Sequence, residues 1–348
     1  MRAAVVGGGV FGCVIAVDLA RTGAQVTLYE SRTDILEGST ARNMARLHSG
    51  YHYPRSDETA AASRDAAALF AARFPQAIRR ASHYYVVAPG SKVSAADYLA
   101  FCDRLGLPYE VCGEAGGPVT PPQVHCADLV AKVAEAFVDV DVLRRLLRRE
   151  LTAARVTVRT GERIAGPEAP DADVTVWATY GVPWTEPLRY EVCEVALLEL
   201  GRYGNDSFVV VDGEYVSLDP FGRRHTLYDV THSVHHVSVD TRPDIPSQYL
   251  DLIGRYGPAR SPLSNLDRMV ESASRFLWGL DPYGQHAPIY HGSLWSLRAV
   301  LPDVDATDTR PTLIERDGDV IRVLSGKFGT AALAGRRVVD EVFGRVLA

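Results

Sequence analysis

The chain has 348 residues, 47% hydrophobic and 23% charged, which is an ordinary globular balance with length for two or three folding units or one elaborate α/β assembly. Thirty-seven Lys and Arg against 43 Asp and Glu give a net charge of −6, which excludes a global basic field for nucleic acid or an anionic membrane and leaves a small molecule as the expected partner. No apolar run approaches the roughly 20 residues of a membrane span, Met1 directly precedes the first predicted strand, and the five cysteines (Cys13, Cys102, Cys112, Cys126, Cys193) include no C-x-x-C pair, so a cytoplasmic chain with reduced thiols is expected.

The first thirty residues organise the rest. A β-rich run (Ala3, Ala4, Val5, Val6) feeds Gly7-Gly8-Gly9-Val10-Phe11-Gly12, and helical spacing follows at Phe11, Val14, Ile15 and Leu19. In a dinucleotide site Gly7 allows the tight turn, Gly9 lets backbone approach a pyrophosphate, and Gly12 lets helix and strand pack closely. The helix start turns its N–H groups and dipole toward the phosphates. A second β-like run, Gln25 to Tyr29, ends at Glu30, placed to accept hydrogen bonds from a ribose diol and to repel a 2′-phosphate.

Ser31 to Pro54 then breaks the regular strand and helix alternation with a polar, glycine-punctuated loop rich in Arg, His and Tyr, and loops of this length are usually functional. The glycine fingerprint, Glu30 and the stretch from Ser39 to Tyr53 together resemble the FAD-dependent D-amino-acid-oxidase-like superfamily, which includes glycine and sarcosine oxidases. Leu47-His48-Ser49-Gly50-Tyr51-His52-Tyr53 is similar to its 2-hydroxyglutarate dehydrogenase branch. The resemblance implies non-covalently bound FAD, with Ser31, Ser39, Arg42, Asn43, Leu47 and His48 near it beside Gly7, Gly9, Val10, Phe11, Gly12 and Glu30.

Further along, Asp57 to Phe74 reads as a helix capped by Ser56 or Asp57, His83 to Val87 as a strand, Ser94 to Leu105 as a capped helix and Gly113 to Pro122 as a loop. Phe137 to Asp141 introduces a helix whose Arg144, Arg145, Arg148 and Arg149 form a solvated face rather than a nucleic-acid site. Two strands follow, Arg155 to Thr160 and Asp173 to Thr179. The turn after the second, Ala178-Thr179-Tyr180-Gly181, resembles the superfamily's small-residue turn over the dinucleotide phosphates, placing Ala178, Thr179 and Gly181 at the cofactor. From Tyr190 to Asp240 a period of two predicts an antiparallel sheet, and Ser261 to Trp278 a long helix. His232, His235 and His236 lack the nearby Cys or paired carboxylates of a metal site, and no metal is expected.

Ser293 to Asp303 resembles the superfamily's Gly-x-Arg-Pro stretch, although Ala299 stands where the proline would be. The resemblance puts Arg298 on a substrate carboxylate, and pairing with an internal carboxylate such as Asp303 is the structural alternative. Val320 to Leu324, the turn Ser325 to Thr330 and a helix from Ala331 to Val346 resemble the last FAD segment, which places Gly326, Lys327, Phe328, Gly329 and Thr330 beside the flavin.

The expected fold is α/β (α+β overall): a Rossmann-like FAD-binding domain from residues 1–82, 125–184 and 293–348, and an antiparallel-sheet substrate domain from 83–124 and 185–292. The implied activity is oxidation of a C–N bond in a small, carboxylate-bearing amine or amino acid by hydride transfer to flavin. Oxidation of a 2-hydroxy acid and flavin binding without turnover remain the alternatives, with a simple NAD enzyme disfavoured by the interrupted domain. His48, His52 and Arg298 are the candidate catalytic residues; Tyr51, His52, Tyr215, Tyr228 and Arg298 are the candidate substrate contacts.

Overall fold

In the computed structural model β1 (Arg2–Val6) lies inside a six-stranded sheet, as its unbroken apolar run requires of a parallel strand covered on both faces. The structure describes all residues except 114–116, 167–168, 170, 182, 258–259, 282–286, 304–308 and 345–348. The sheet order is Leu313–Asp317, Val320–Leu324, Val174–Trp177, β1, β2 (Gln25–Glu30) and Thr157–Thr160. Every neighbouring pair is parallel except the first. Strands from the start, middle and end of the chain thus share one sheet.

Helix α1 (Val10–Arg21) is apolar on nearly all sides because it is enclosed: Cys13, Val14, Ile15, Ala16 and Val17 are fully buried, in one core with Leu143 and Leu147 of helix Val140–Ala153 and Ala334 and Val338 of helix Ala331–Phe343. Gly12 makes its approach to β1 possible, since a Cβ there would stand 1.8 Å from the Gly7 carbonyl oxygen. Asp139 caps helix Val140–Ala153, accepting from the N–H groups of Asp141 and Val142, and Ser56 caps Asp57–Arg73.

A second, ten-stranded sheet contains Leu188–Glu199, Asp206–Val211, Val216–Phe221, Arg224–Asp229 and Val234–Asp240. It is antiparallel as expected except where Asp206–Val211 runs parallel to Ser82–Val87. Ile289–Val300, not predicted as a strand, pairs along most of Leu188–Glu199. A three-stranded sheet of Arg46–Leu47, Ala136–Val138 and Ile78–Arg80 lies under the polar loop.

Three expectations need correction or limits. The helix predicted over Ser261 to Trp278 is confined to Leu266–Ser274, because the Ser264 hydroxyl and the Asn265 N–H are drawn off by hydrogen bonds to Glu194 and Pro262 lies in the turn before it. The last helix is described to Phe343, so its expected end at Val346 lies outside the described residues, as do 114–116 of the predicted Gly113 to Pro122 loop. Among the described residues no helix is long and apolar enough to cross a membrane.

Gly12→Ala should destabilise the chain by about 3 kcal/mol or more, at or beyond the usual overpacking range, because both clashing groups are backbone. A lower urea midpoint at unchanged slope would register this; an unchanged midpoint would mean that α1 and β1 can separate at no cost.

Candidate functional site

The C-terminal ends of β1 and β2 and the start of α1 open into a cavity of about 480 Å³, within the range of small-molecule sites. Gly7, Gly9, Val10 and Phe11 line it, as do Glu30 and Ser31. Gly9 is the helix N-cap, and a Cβ there would meet only Thr40 Oγ1, at 3.4 Å, so the space before the helix is kept open. Glu30 is 8% exposed; its Oε2 accepts from the Gly8 N–H at 2.7 Å and its Oε1 from the Arg32 N–H at 2.8 Å. These bonds fix a carboxylate with lone pairs to spare at the end of β2. An open cradle at a helix N-terminus beside an oriented acid fits a pyrophosphate and a ribose diol.

The polar loop forms one wall. Ser39, Asn43, His48, His52 and Tyr53 face the cavity, with Thr40 and Arg46. Asn43 braces the loop, donating to Ser39 O at 2.7 Å and accepting from the Ala45 N–H at 2.6 Å, while Ser39 Oγ donates to Leu297 O at 3.1 Å. The His48 and His52 rings lie 4.9 Å apart, and Tyr53 stands edge-on to His52 at 5.2 Å. Burial above all, then neighbouring basic side chains, holds both imidazoles well below their ordinary pKa, and the Nδ1 atom of each is buried without a hydrogen-bond partner.

At the base of this wall Arg46, 4% exposed, donates Nη2 to both oxygens of Asp219 at 2.5 Å, and Asp219 also accepts from Ser207 Oγ at 2.7 Å. Glu135 lies beside them with Arg46 Nε at 3.9 Å; burial pushes its carboxyl up to about 7, against the pull of Arg46, the Ser49 N–H and the Tyr85 hydroxyl. On the far side are Gly326, Lys327 and Phe328. Burial drives Lys327 well below its usual pKa, and its Nζ meets the Tyr53 hydroxyl. The large sheet roofs the cavity with Val209, Val216, Ser217, Tyr215 and Tyr228. The buried Tyr228 hydroxyl has no hydrogen-bond partner among the described residues, and burial raises its pKa.

Arg298 reaches the cavity but is already engaged. Its Nε donates to Glu191 Oε2 at 2.5 Å, its Nη2 pairs with the same oxygen, and Arg189 Nε lies 2.8 Å from Oε1. Glu191 is 1% exposed and stands directly opposite Arg298 across the two long strands, the position where opposite charges pair. The fork assigned to a substrate carboxylate is therefore largely taken by an internal one, and that partner is Glu191.

Several predicted residues stay off the cavity wall. Tyr51 is buried among Tyr85 and Tyr98 and donates to Pro108 O at 2.6 Å, so it supports the loop and cannot be a substrate contact. Arg42 turns away to Gly254 O and Ala41 O. Leu47 fills the core against Gly329, and Gly12 packs on Gly7. Gly181 lies against Leu188 and Ala299, with only Ala178 and Thr179 of its turn reaching the cavity together with Tyr180. Thr330 bonds to Thr312 at 2.6 Å. Sequence reasoning missed Arg46, Tyr53 and Ser217 on the wall and Glu135 behind it; Arg46 and Tyr53 were within reach, since they lie in the same loop as His48. His235 bonds to Glu194 and His236 to Asp244 O, and among the described residues no three His, Cys, Asp or Glu side chains converge on a metal position.

Residues 2–195 match the family described as FAD dependent oxidoreductase (DAO). That is more than half of the chain, which therefore belongs to this family: it is an FAD-dependent oxidoreductase. The FAD-dependent monooxygenase FPY4 of Fusarium mangiferae is 25% identical, the match covering 97% of this chain and 90% of that protein. The FAD-dependent monooxygenase kojA of Aspergillus flavus is 38% identical over 36% of this chain, a match that spans only 27% of that relative's length. Among solved structures, glycine oxidase from Geobacillus kaustophilus superposes with a TM-score of 0.72 at 14% identity, covering 100% of this chain and 96% of its own. L-proline dehydrogenase from P. horikoshii gives 0.69 at 13% identity, with 99% and 93% covered. Glycerol-3-phosphate dehydrogenase from Bacillus halodurans, complexed with FAD, gives 0.60 at 14%, with 98% and 64% covered. At such identities the likeness is one of fold.

Gly9→Val should abolish FAD retention on purification, since a branched side chain would fill the open cradle; Glu30→Ala should retain part, having lost charged hydrogen bonds of about 1.5–3 kcal/mol each. Equal flavin content in Gly9→Val and the parent would put the pyrophosphate elsewhere. Arg298→Met should cost about 3–5 kcal/mol of stability, because it strips a buried carboxylate of a partner. Adding Glu191→Gln should restore most of it; two additive losses in denaturant melts would show that the pair is uncoupled.

Proposed function

We propose that this enzyme oxidises a small donor at a carbon bearing a hydroxyl group, with His48 taking the hydroxyl proton. Gly7, Gly9, Val10, Phe11 and Glu30 would hold the FAD nucleotide without a covalent link, the six-stranded sheet serving as nucleotide lobe and the large sheet as substrate lobe. Bound FAD supplies the acceptor for the electron pair released with the hydride.

The observation that carries this reading is the pair of imidazoles that face the cavity with their ring centres 4.9 Å apart, burial lowering the pKa of each. An alcohol loses hydride readily only as its O–H proton is drawn off, which asks for a base uncharged at neutral pH; an amine bound neutral needs none. The engagement of Arg298 by Glu191 points the same way, for it leaves an amino-acid carboxylate only part of the guanidinium. Val209, Val216 and Tyr228 would hold the donor's apolar part against the polar wall.

Oxidation of an amine or amino acid is the second reading, supported by a fold shared with a glycine oxidase and an L-proline dehydrogenase. A carboxylate on the donor would then use the guanidinium edge that Glu191 leaves uncovered.

Anaerobic mixing of the purified enzyme with panels of small alcohols, 2-hydroxy acids and amino acids, without NAD(P)H, tests the proposal. Bleaching by a hydroxyl donor is expected, slowed about 10²- to 10⁴-fold in His48→Asn at unchanged FAD content. Bleaching by amines alone, with ammonia or a shorter amine released, would establish the second reading. Bleaching only after NAD(P)H is added would point to monooxygenation, the activity named for the fungal relatives.

A further inference from the structure

We propose that Glu135 is a positioning residue for this reaction, its buried carboxylate holding His48 in the Nδ1–H tautomer and stabilising the imidazolium formed when Nε2 takes the donor's proton. The inference rests on the reading of His48 as base and adds the group behind it.

Glu135 occupies the turn between strands Leu129–Val133 and Ala136–Val138; the second pairs with Arg46–Leu47, which brings the carboxylate under the loop that carries His48. Its side chain is fully buried. Oε1 accepts from the Ser49 N–H at 3.0 Å and lies 3.9 Å from His48 Nδ1, while Oε2 accepts from the Tyr85 hydroxyl at 3.0 Å. Nδ1 of His48 is buried with no partner, although 19% of the side chain is open to the cavity, which leaves Nε2 as the nitrogen that can meet a donor. A ring movement of about 1 Å brings Nδ1 into hydrogen-bond range of Oε1, and catalytic contacts of this kind commonly tighten when substrate binds.

Charge balance gives the arrangement its sense. Arg46 is neutralised by Asp219, so an ionised Glu135 leaves this buried cluster with one uncompensated negative charge. A buried unpaired charge is costly, and proton uptake by His48 cancels it. The carboxylate thereby raises the proton affinity of His48 as the reaction demands it, with the geometry by which a buried acid orients a catalytic histidine.

The charged and titratable groups around Glu135 are Arg46, His48, Tyr51, Tyr85, Tyr98 and Asp219. With burial pushing the carboxyl up to about 7, the acting form accumulates above neutrality, so kcat should rise with pH through that region. The stability sign is opposite. A carboxyl raised in the folded state favours folding while it is protonated, and this contribution is lost as pH rises from about 4.5 through about 7.

The test compares holoenzyme of Glu135→Gln, Glu135→Asp and His48→Asn with the parent, in flavin reduction by the donor from pH 5 to 9, FAD content and thermal melts. Glu135→Gln should lower kcat about 100-fold with KM and FAD content nearly unchanged, flatten the rise near neutrality, and lose less melting temperature than the parent between pH 5 and pH 8. Glu135→Asp should recover part of kcat. Parental kcat and pH profile in Glu135→Gln would overturn the proposal while an inactive His48→Asn kept the base reading standing; normal turnover in His48→Asn would remove the base reading itself. The ¹⁵N shifts of histidine-labelled parent holoenzyme need no variant: His48 found as the Nε2–H tautomer overturns the proposal even if Glu135→Gln fails to fold.

Discussion

The ion pair between Arg46 and Asp219 is the constraint on which the site depends. Arg46 belongs to the short sheet under the polar loop and Asp219 to the large sheet, and both are withdrawn from water, at 4% and 0% exposure. Such a pair recovers its desolvation cost only with close geometry and satisfied hydrogen bonds, and here Nη2 reaches both carboxylate oxygens while Ser207 supplies a further donor. Packed hydrophobic residues would hold the sheets together at least as well. What the ion pair adds is a fixed register between the loop bearing His48 and His52 and the roof bearing Ser217 and Tyr228.

The two ends of the cavity are built by different physics. At the glycine end backbone dominates: a helix N-terminus, a glycine whose missing side chain leaves room, and one carboxylate oriented by two N–H groups. At the other end buried side chains dominate, and low polarity sets their protonation. Two histidines and a lysine are held toward neutrality, and a glutamate is pushed toward the proton. This division suits a family in which the cofactor brings the redox chemistry and the protein brings position and proton management.

Local patterns made the glycine end legible in the sequence. Strand, glycines, amphipathic helix, second strand and Glu30 follow one another within thirty residues, and each of Gly7, Gly9 and Gly12 occupies the place its spacing implied. The caps at Ser56, Ser94 and Asp139 and the glycine turn before the last helix are local in the same way. The long helix expected over Ser261 to Trp278 was not settled locally: a distant carboxylate, Glu194, accepts hydrogen bonds from the Ser264 hydroxyl and the Asn265 N–H and fixes the turn before the helix starts.

By itself, then, the sequence determined the glycine cradle, its acidic partner and the order of elements in the first thirty residues, because those follow from residue spacing and backbone preference. Tertiary structure alone decided which polar side chains were already spoken for. That Arg298 faces Glu191 depends on the register of two strands more than a hundred residues apart. That Tyr51 belongs to the core while its neighbour His52 meets the cavity depends on what packs against each side of the loop. Glu135 lies 87 residues beyond His48 in a turn without any motif, and only the pairing of Ala136–Val138 with Arg46–Leu47 brings the two within 3.9 Å. Charge and hydrogen-bond capacity are spent pairwise, and the partners in such pairs are chosen by the fold, not by proximity in the chain.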